Sequence, residues 1–249
     1  MKKSNNKNRR EFVKLCGSTA LAVSVNPKIL AQENQTARHY HRVRLVDGDD
    51  KPITANQLEI GKSYIFSYPY VTTPCFLINL GRPAVEKTEL ETKQGDKYQW
   101  PGGVGPKQSI VAFSAICAHK MSHPARSVSF INYRHEKVSF TNGKESAESR
   151  SQVIFCCSEN SVYDPANGGQ VLGGPAPQPL AAVLLDYDNS SGALFATGTM
   201  GGEMFDPFFE KFGFRLSLEN KVEDVRTPIS EATEVVTIEQ YSASQRLCG

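Results

Sequence analysis

From residue 42 onward the chain is cut into short β-prone segments by Gly, Pro and Asn, and that punctuation leaves little room for any class but all-β. Residues 42–46, 63–70, 75–80, 109–116, 127–132, 152–155, 182–187 and 193–197 are rich in β-branched and aromatic side chains, as strands require. Asn142-Gly143 and Asn189-Ser190-Ser191-Gly192 stand where turns between strands are wanted. Helical periodicity is scarce until Phe205-Asp206-Pro207-Phe208-Phe209, where Asp206-Pro207 suits the start of a short helix. Residues 234–238 read as an added edge strand. Two polar stretches, 86–107 and 134–151, read as surface excursions rather than linkers.

With 249 residues, of which 39% are hydrophobic, the chain can bury a substantial core. The formal charge of +2 hides an asymmetry: residues 1–31 are strongly basic and the body is net acidic. A body without a dense Lys/Arg cluster makes nucleic acid an unsuitable partner. No Ser/His/Asp order, phosphate loop or paired carboxylate suggests hydrolysis or phosphoryl transfer.

Residues 1–31 form a targeting segment: a basic stretch through Lys14, an uncharged run over 15–25, and small residues near Ala31. Asn8-Arg9-Arg10-Glu11-Phe12-Val13-Lys14 resembles the twin-arginine export signal, which carries folded proteins, often around a cofactor. The uncharged run spans only about 16 Å as a helix, roughly half a bilayer core, so a permanent anchor is the weaker alternative. The expected location is the periplasm, with membrane association only through an uncleaved leader.

Cys16 belongs to that leader, leaving Cys75, Cys117, Cys156, Cys157 and Cys248. An odd count in an oxidising compartment implies a free thiol or a metal site. Cys75, within an apolar run, reads as a buried hydrophobe; Cys248 reads as exposed and without a role.

Two loops carry the chemistry. Cys117-Ala118-His119 follows the segment at 109–116. Cys156-Cys157-Ser158-Glu159-Asn160-Ser161-Val162-Tyr163-Asp164 follows the segment at 152–155, and Gly173-Gly174-Pro175-Ala176-Pro177 comes later. In this order they resemble the Rieske iron-sulfur family, in which a Cys-x-His loop and a Cys-x-x-His loop hold a 2Fe-2S cluster under a Gly-Pro-Ala-Pro loop. The resemblance covers about residues 60–200. It implies an antiparallel β-sandwich base with an inserted cluster-binding subdomain at 113–180, in a domain spanning 41–200 and followed by a C-terminal extension at 201–249.

The resemblance further implies Cys117, His119 and one of Cys156 and Cys157 as iron ligands, with thiolates on one iron and imidazole on the other. Ser161 and Tyr163 would donate hydrogen bonds to a bridging sulfur and a cysteine sulfur, and Pro175 would belong to the sheltering loop. No catalytic residue is implied: the role is one-electron transfer, as a carrier or subunit of a respiratory oxidoreductase. Its partner would be a redox protein or a membrane respiratory complex.

The second loop departs from the pattern, because none of the five histidines lies there. Aligned without a gap, Cys156 is the ligand and Glu159 stands at the vacant position; with one residue deleted they become Cys157 and Asn160. Ser122 also stands where the family has a Cys bonded to the second loop. A carboxylate at Glu159 would suit ferric iron and lower the potential. His123 could swing in from the first loop. Alternatively no cluster binds, Cys117 joins Cys156 or Cys157 in a disulfide or helps hold a mononuclear metal, and the fold serves as a binding or structural module.

His39-Tyr40-His41 reads as solvated, the 86–91 region as a mixed-charge loop, and the Phe205, Phe208, Phe209, Phe212 and Phe214 group as packing on the β-domain.

Overall fold

The structure, a computed structural model, describes residues 37–249. The segment read as an export signal, with its paired arginines and Cys16, lies outside the described residues.

Sixteen strands follow in chain order. The first six are β1 (Ala37–Val46), β2 (Ser63–Ser67), β3 (Pro74–Asn79), β4 (Thr88–Glu91), β5 (Lys97–Trp100) and β6 (Ile110–Ser114). The next six are β7 (Ile131–Arg134), β8 (Val138–Thr141), β9 (Ala147–Arg150), β10 (Val153–Cys156), β11 (Ser161–Asp164) and β12 (Gln170–Gly173). The last are β13 (Ala182–Tyr187), β14 (Leu194–Met200), β15 (Ala232–Glu234) and β16 (Val236–Thr237), with helices α1 (Phe205–Asn220) and α2 (Ile238–Tyr241).

Eight strands make one sheet in the order β15-β1-β14-β13-β6-β3-β2-β16. All pairings are antiparallel except β1 with β15. The two edge strands, β15 and β16, are separated in the chain by Val235 alone. Opposite edges that close can be reached only if the sheet curls nearly into a barrel. The base is therefore one curled sheet rather than two stacked ones.

Both faces of that sheet are buried, which explains why its strands read as continuous apolar runs. Along β3, Cys75 and Leu77 join the interior cluster with Val43, Phe66 and Leu194, whereas Phe76 and Ile78 face outward. The outward cluster also contains residues of the four-stranded sheet β12-β11-β10-β7, such as Ile131, Ile154 and Tyr163. The small sheet thus sits on the outer face of the large one, and the site forms where they meet. Among the described residues no helix is long and apolar enough to cross a membrane.

Both polar stretches turn out to contain hairpins. β4 pairs with β5 and buries Leu90, Tyr98 and Trp100; β8 pairs with β9 around the Asn142-Gly143 turn. Each strand has only four residues, so the apolar-polar alternation was too short to stand out against the charged neighbours. The expected strand at 127–132 begins later, at Ile131, because Ser129 bonds to the tail instead: its N–H donates to Ser244 O at 2.9 Å.

The expected short helix is longer, running to Asn220 with Pro207 in its first turn. Phe205, Phe208 and Phe209 are buried beneath it, but Phe214 is 82% exposed and does not pack on the β-domain.

Candidate metal centre

The first loop is closed on itself: Cys117 N–H donates to Ser122 O at 2.9 Å, and Met121 N–H to Cys117 O at 3.0 Å, with Met121 at φ +61°. The second loop is a hairpin turn. Cys156 and Ser161 are the last paired residues of β10 and β11, so 157–160 make the turn, with Asn160 at φ +58°.

Gly174, at φ +79°, presses against that turn. A Cβ there would lie 2.2 Å from Asn160 O, so only glycine fits. Pro175 itself is exposed, and Ala176 is the residue of that loop that packs on the core containing Cys117 and Cys156.

Cys117 and Cys156 are buried, free and hydrogen-bonded to each other. Tyr163, fully buried, places its hydroxyl 3.2 Å from Cys117 Sγ while accepting the Ala118 N–H at 3.2 Å. The N–H groups of His119 and Lys120 also point at Cys117, and that of Ser158 at Cys156. These donors favour thiolate. The hydrogen bond from Cys156, with Tyr163 and the loop N–H groups, outweighs burial and brings the Cys117 thiol down to about 6. Its partner goes the other way: the bond to Cys117 and burial raise Cys156. Burial, and then the Cys117 charge, push the Tyr163 phenol well above its ordinary range.

Two buried polar atoms of the two loops have no partner, His119 Nδ1 and Ser161 Oγ, the latter on the residue paired across the hairpin with Cys156. Thiolates, an imidazole and hydroxyl donors are the group types an iron-sulfur cluster needs, and an unpartnered buried polar atom calls for an explanation.

The fourth position differs. Glu159, whose side chain is 38% exposed, forms an ion pair with Lys120 of the first loop. That cation lowers the Glu159 carboxyl. Among the described residues, no three His, Cys, Asp or Glu side chains converge closely enough to hold a metal ion as they stand. The two thiols are instead engaged with each other and the Glu159 carboxylate with Lys120, while His119 Nδ1 stays without a partner.

Cys157 is not a companion of these ligands. It is bonded to Cys248, 91 residues away in the chain, which removes it as a thiolate and gives Cys248 a structural role the sequence did not suggest. Asn160, the other residue considered for the vacant position, lies by a groove with Phe140, Phe155 and Gly249. His123 faces away: its ring is edge-on to Phe208 and Phe212 at 4.8 and 5.0 Å, and its Nδ1 is 2.9 Å from Met121 O. No disulfide joins Cys117 to Cys156 or Cys157.

Where the family would have an interloop disulfide, Ser122 donates to Ser158 at 2.7 Å. Sequence reasoning passed over Ser158 and Lys120. The signal for Ser158 was Ser122 itself, standing where a first-loop Cys would bond to the second loop. His39 and His41 are exposed on β1, as expected for solvated residues.

No family model matches the chain. Among solved structures, the chain is similar to the soluble domain of the Rieske protein II from Sulfolobus acidocaldarius, with 27% identity over 66% of this chain and 82% of that one and a TM-score of 0.42.

Proposed function

We propose that this protein is a Rieske-type one-electron carrier of the periplasm, holding a 2Fe-2S cluster between its two loops. The observation that carries the proposal is the pair of buried, free thiols, Cys117 and Cys156, ringed by Tyr163 and three loop N–H groups, in loops that also leave Ser161 Oγ and His119 Nδ1 unpartnered. When bound, such a cluster supplies a ferric/ferrous couple.

The chain's own residues do the rest. In this reading Cys117, Cys156 and His119 would hold the cluster, and Ser161 and Tyr163 would donate hydrogen bonds to sulfur, which would favour the reduced form. Gly174 and Ala176 keep water from the loops. The Cys157–Cys248 bond supports an oxidising compartment, in keeping with the twin-arginine-like leader. A soluble redox protein or a membrane respiratory complex would be the partner.

A second reading, a cluster-free binding module, is favoured by the lack of three converging ligands among the described residues. One experiment separates the two. Iron and acid-labile sulfide are counted in protein isolated after export, with Cys117→Ser, Cys156→Ser and Cys157→Ser alongside. About two irons per chain, lost in the first two variants and kept in the third, is the expected result. Iron-free wild-type protein, colourless and silent in EPR after dithionite, favours the binding module.

A further inference from the structure

We infer that a cleft where three turns meet binds a tetrahedral oxyanion of the phosphate class, free or carried as an ester. The inference stands apart from the two-loop site and holds whether or not iron binds there.

The cleft encloses about 300 Å³ and is lined by Arg82, Lys137, Ser149, Arg150 and Ser151, three cations and two hydroxyls without a carboxylate. These residues come from separate segments. Arg82 lies between β3 and β4, Lys137 in the turn between β7 and β8, and the others at the end of β9 and in the turn into β10. The register of the β8–β9 hairpin sets Val138 opposite Arg150, which brings Lys137 to the same end of the hairpin as Ser151. The Gln152 N–H donates to His135 O at 3.2 Å and ties the two turns together. Positions 82, 137 and 150 are so far apart in the chain that the sequence shows no basic cluster.

Arg82 is oriented before any ligand arrives. Its Nε donates to Gln152 Oε1 at 2.7 Å, and Gln152 Nε2 donates to Leu80 O at 2.9 Å. Gln152 itself sits at φ +57°, a left-handed conformation that costs a non-glycine residue roughly 1–2 kcal/mol. Among the described residues both terminal nitrogens of Arg82 are left without a hydrogen-bond partner. A guanidinium fixed through Nε gives up little freedom when an oxyanion takes the remaining N–H groups. Arg150 is held through Nη2, which donates to Asp164 Oδ2 at 3.0 Å, and keeps Nε and Nη1 for a ligand. Lys137 makes no ion pair among the described residues.

The donor set selects the ligand. A carboxylate offers two oxygens and one charge, which a single guanidinium satisfies. Two guanidinium groups, an ammonium and two hydroxyls exceed that demand and suit the oxygens of a phosphate group. Asp164 neutralises one of the three cations, and the other two match the charge of about −1.5 to −2 that a phosphate ester carries at pH 7.

The test compares wild type, Arg82→Met, Arg82→Lys and Lys137→Met with Lys211→Met, which removes an equal charge from α1 outside the cleft. Calorimetry in about 0.15 M chloride, where diffuse attraction is screened, measures binding of inorganic phosphate and of glycerol phosphate. Sedimentation with phosphatidylcholine vesicles, with and without phosphatidic acid, measures binding of the same group on a lipid. Arg82 and Lys137 are exposed, so an unchanged circular dichroism melt without phosphate verifies that the variants fold.

The expected result is saturable binding of one phosphate group per chain. It weakens at least tenfold in Arg82→Met and Lys137→Met, less in Arg82→Lys, and not in Lys211→Met, because one hydrogen bond to an ionised partner is worth about a factor of ten. Binding of glycerol phosphate above inorganic phosphate identifies a soluble ester as the source. Binding confined to phosphatidic acid vesicles and lost in Arg82→Met identifies a lipid headgroup. No binding of any of these probes would overturn the inference, as would full binding by Arg82→Met or an equal loss in Lys211→Met.

Discussion

Cys156 and Cys157 are neighbours in the chain and belong to different regions of the molecule. Cys156 ends β10 facing the large sheet and meets Cys117 among buried aromatic and aliphatic side chains. Cys157 faces the other way and ties the turn to the tail through Cys248. The histidines of the first loop differ as well: His119 keeps an unpartnered Nδ1, whereas His123 is turned into the aromatic group under α1.

The difference teaches that at a strand end one residue of register decides between core and rim, because successive side chains point to opposite faces. Chemistry stays with the residue facing the core, where donors can be fixed. The residue facing the rim is free for fastening.

That contrast can be broken by experiment. The largest effect is expected at the rim: Cys248→Ser releases the tail from the second loop and should cost about 3 kcal/mol, read as a fall in the urea midpoint. The same variant should leave iron content near wild type. A loss of iron equal to that in Cys156→Ser would mean that rim and core are not separable.

The next effect lies at the core. Tyr163→Phe removes a donor to Cys117 and leaves the buried Ala118 N–H without its acceptor, at about 1–2 kcal/mol. Thermal melts of the two proteins measure it. In cluster-loaded protein the potential should also fall, since a hydrogen bond to a ligand sulfur favours the reduced state.

The smallest concerns His123. Burial lowers its imidazole, against the hydrogen bond to Met121 O, with Arg215 of α1 lowering it further and Glu219 partly opposing. A depressed folded-state value gives stability that is full above about pH 6.5 and is lost as pH falls. Urea midpoints at pH 7 and pH 5 should therefore differ less in His123→Phe than in wild type, by about 1 kcal/mol or less. An unchanged difference would mean that His123 is not what separates the α1 side from the site.

The sequence was most legible where strands are buried on both faces. β13 runs over Ala182–Tyr187, the stretch its composition predicts, and β3 is displaced by a single residue at each end. The hairpins β4–β5 and β8–β9 were not legible, because four-residue strands interleaved with Glu and Lys resemble solvated loops.

At the site, Cys117, His119, Cys156, Ser161 and Tyr163 were readable as types at set spacings, and the structure places Cys117, Cys156 and Tyr163 in one buried cluster. The partners of Cys157 and Glu159 were not readable. The first depends on where a tail crosses the small sheet: Ser242 Oγ donates to Ala125 O at 2.7 Å and Arg246 N–H to Ser129 O at 2.8 Å. The second depends on how closely two loops approach, which no spacing within either loop encodes.

The closure of the large sheet has a consequence for how the molecule comes into being. β1 is bordered on one side by β15 and β2 by β16, so each waits for a partner a ribosome makes more than a hundred residues later. Contacts so distant along the chain are slow to form. Until they do, two long edges stay open to mispairing with other chains. Closure of the sheet therefore has to wait for the end of synthesis, and a holding chaperone that shields those edges meanwhile would serve this protein.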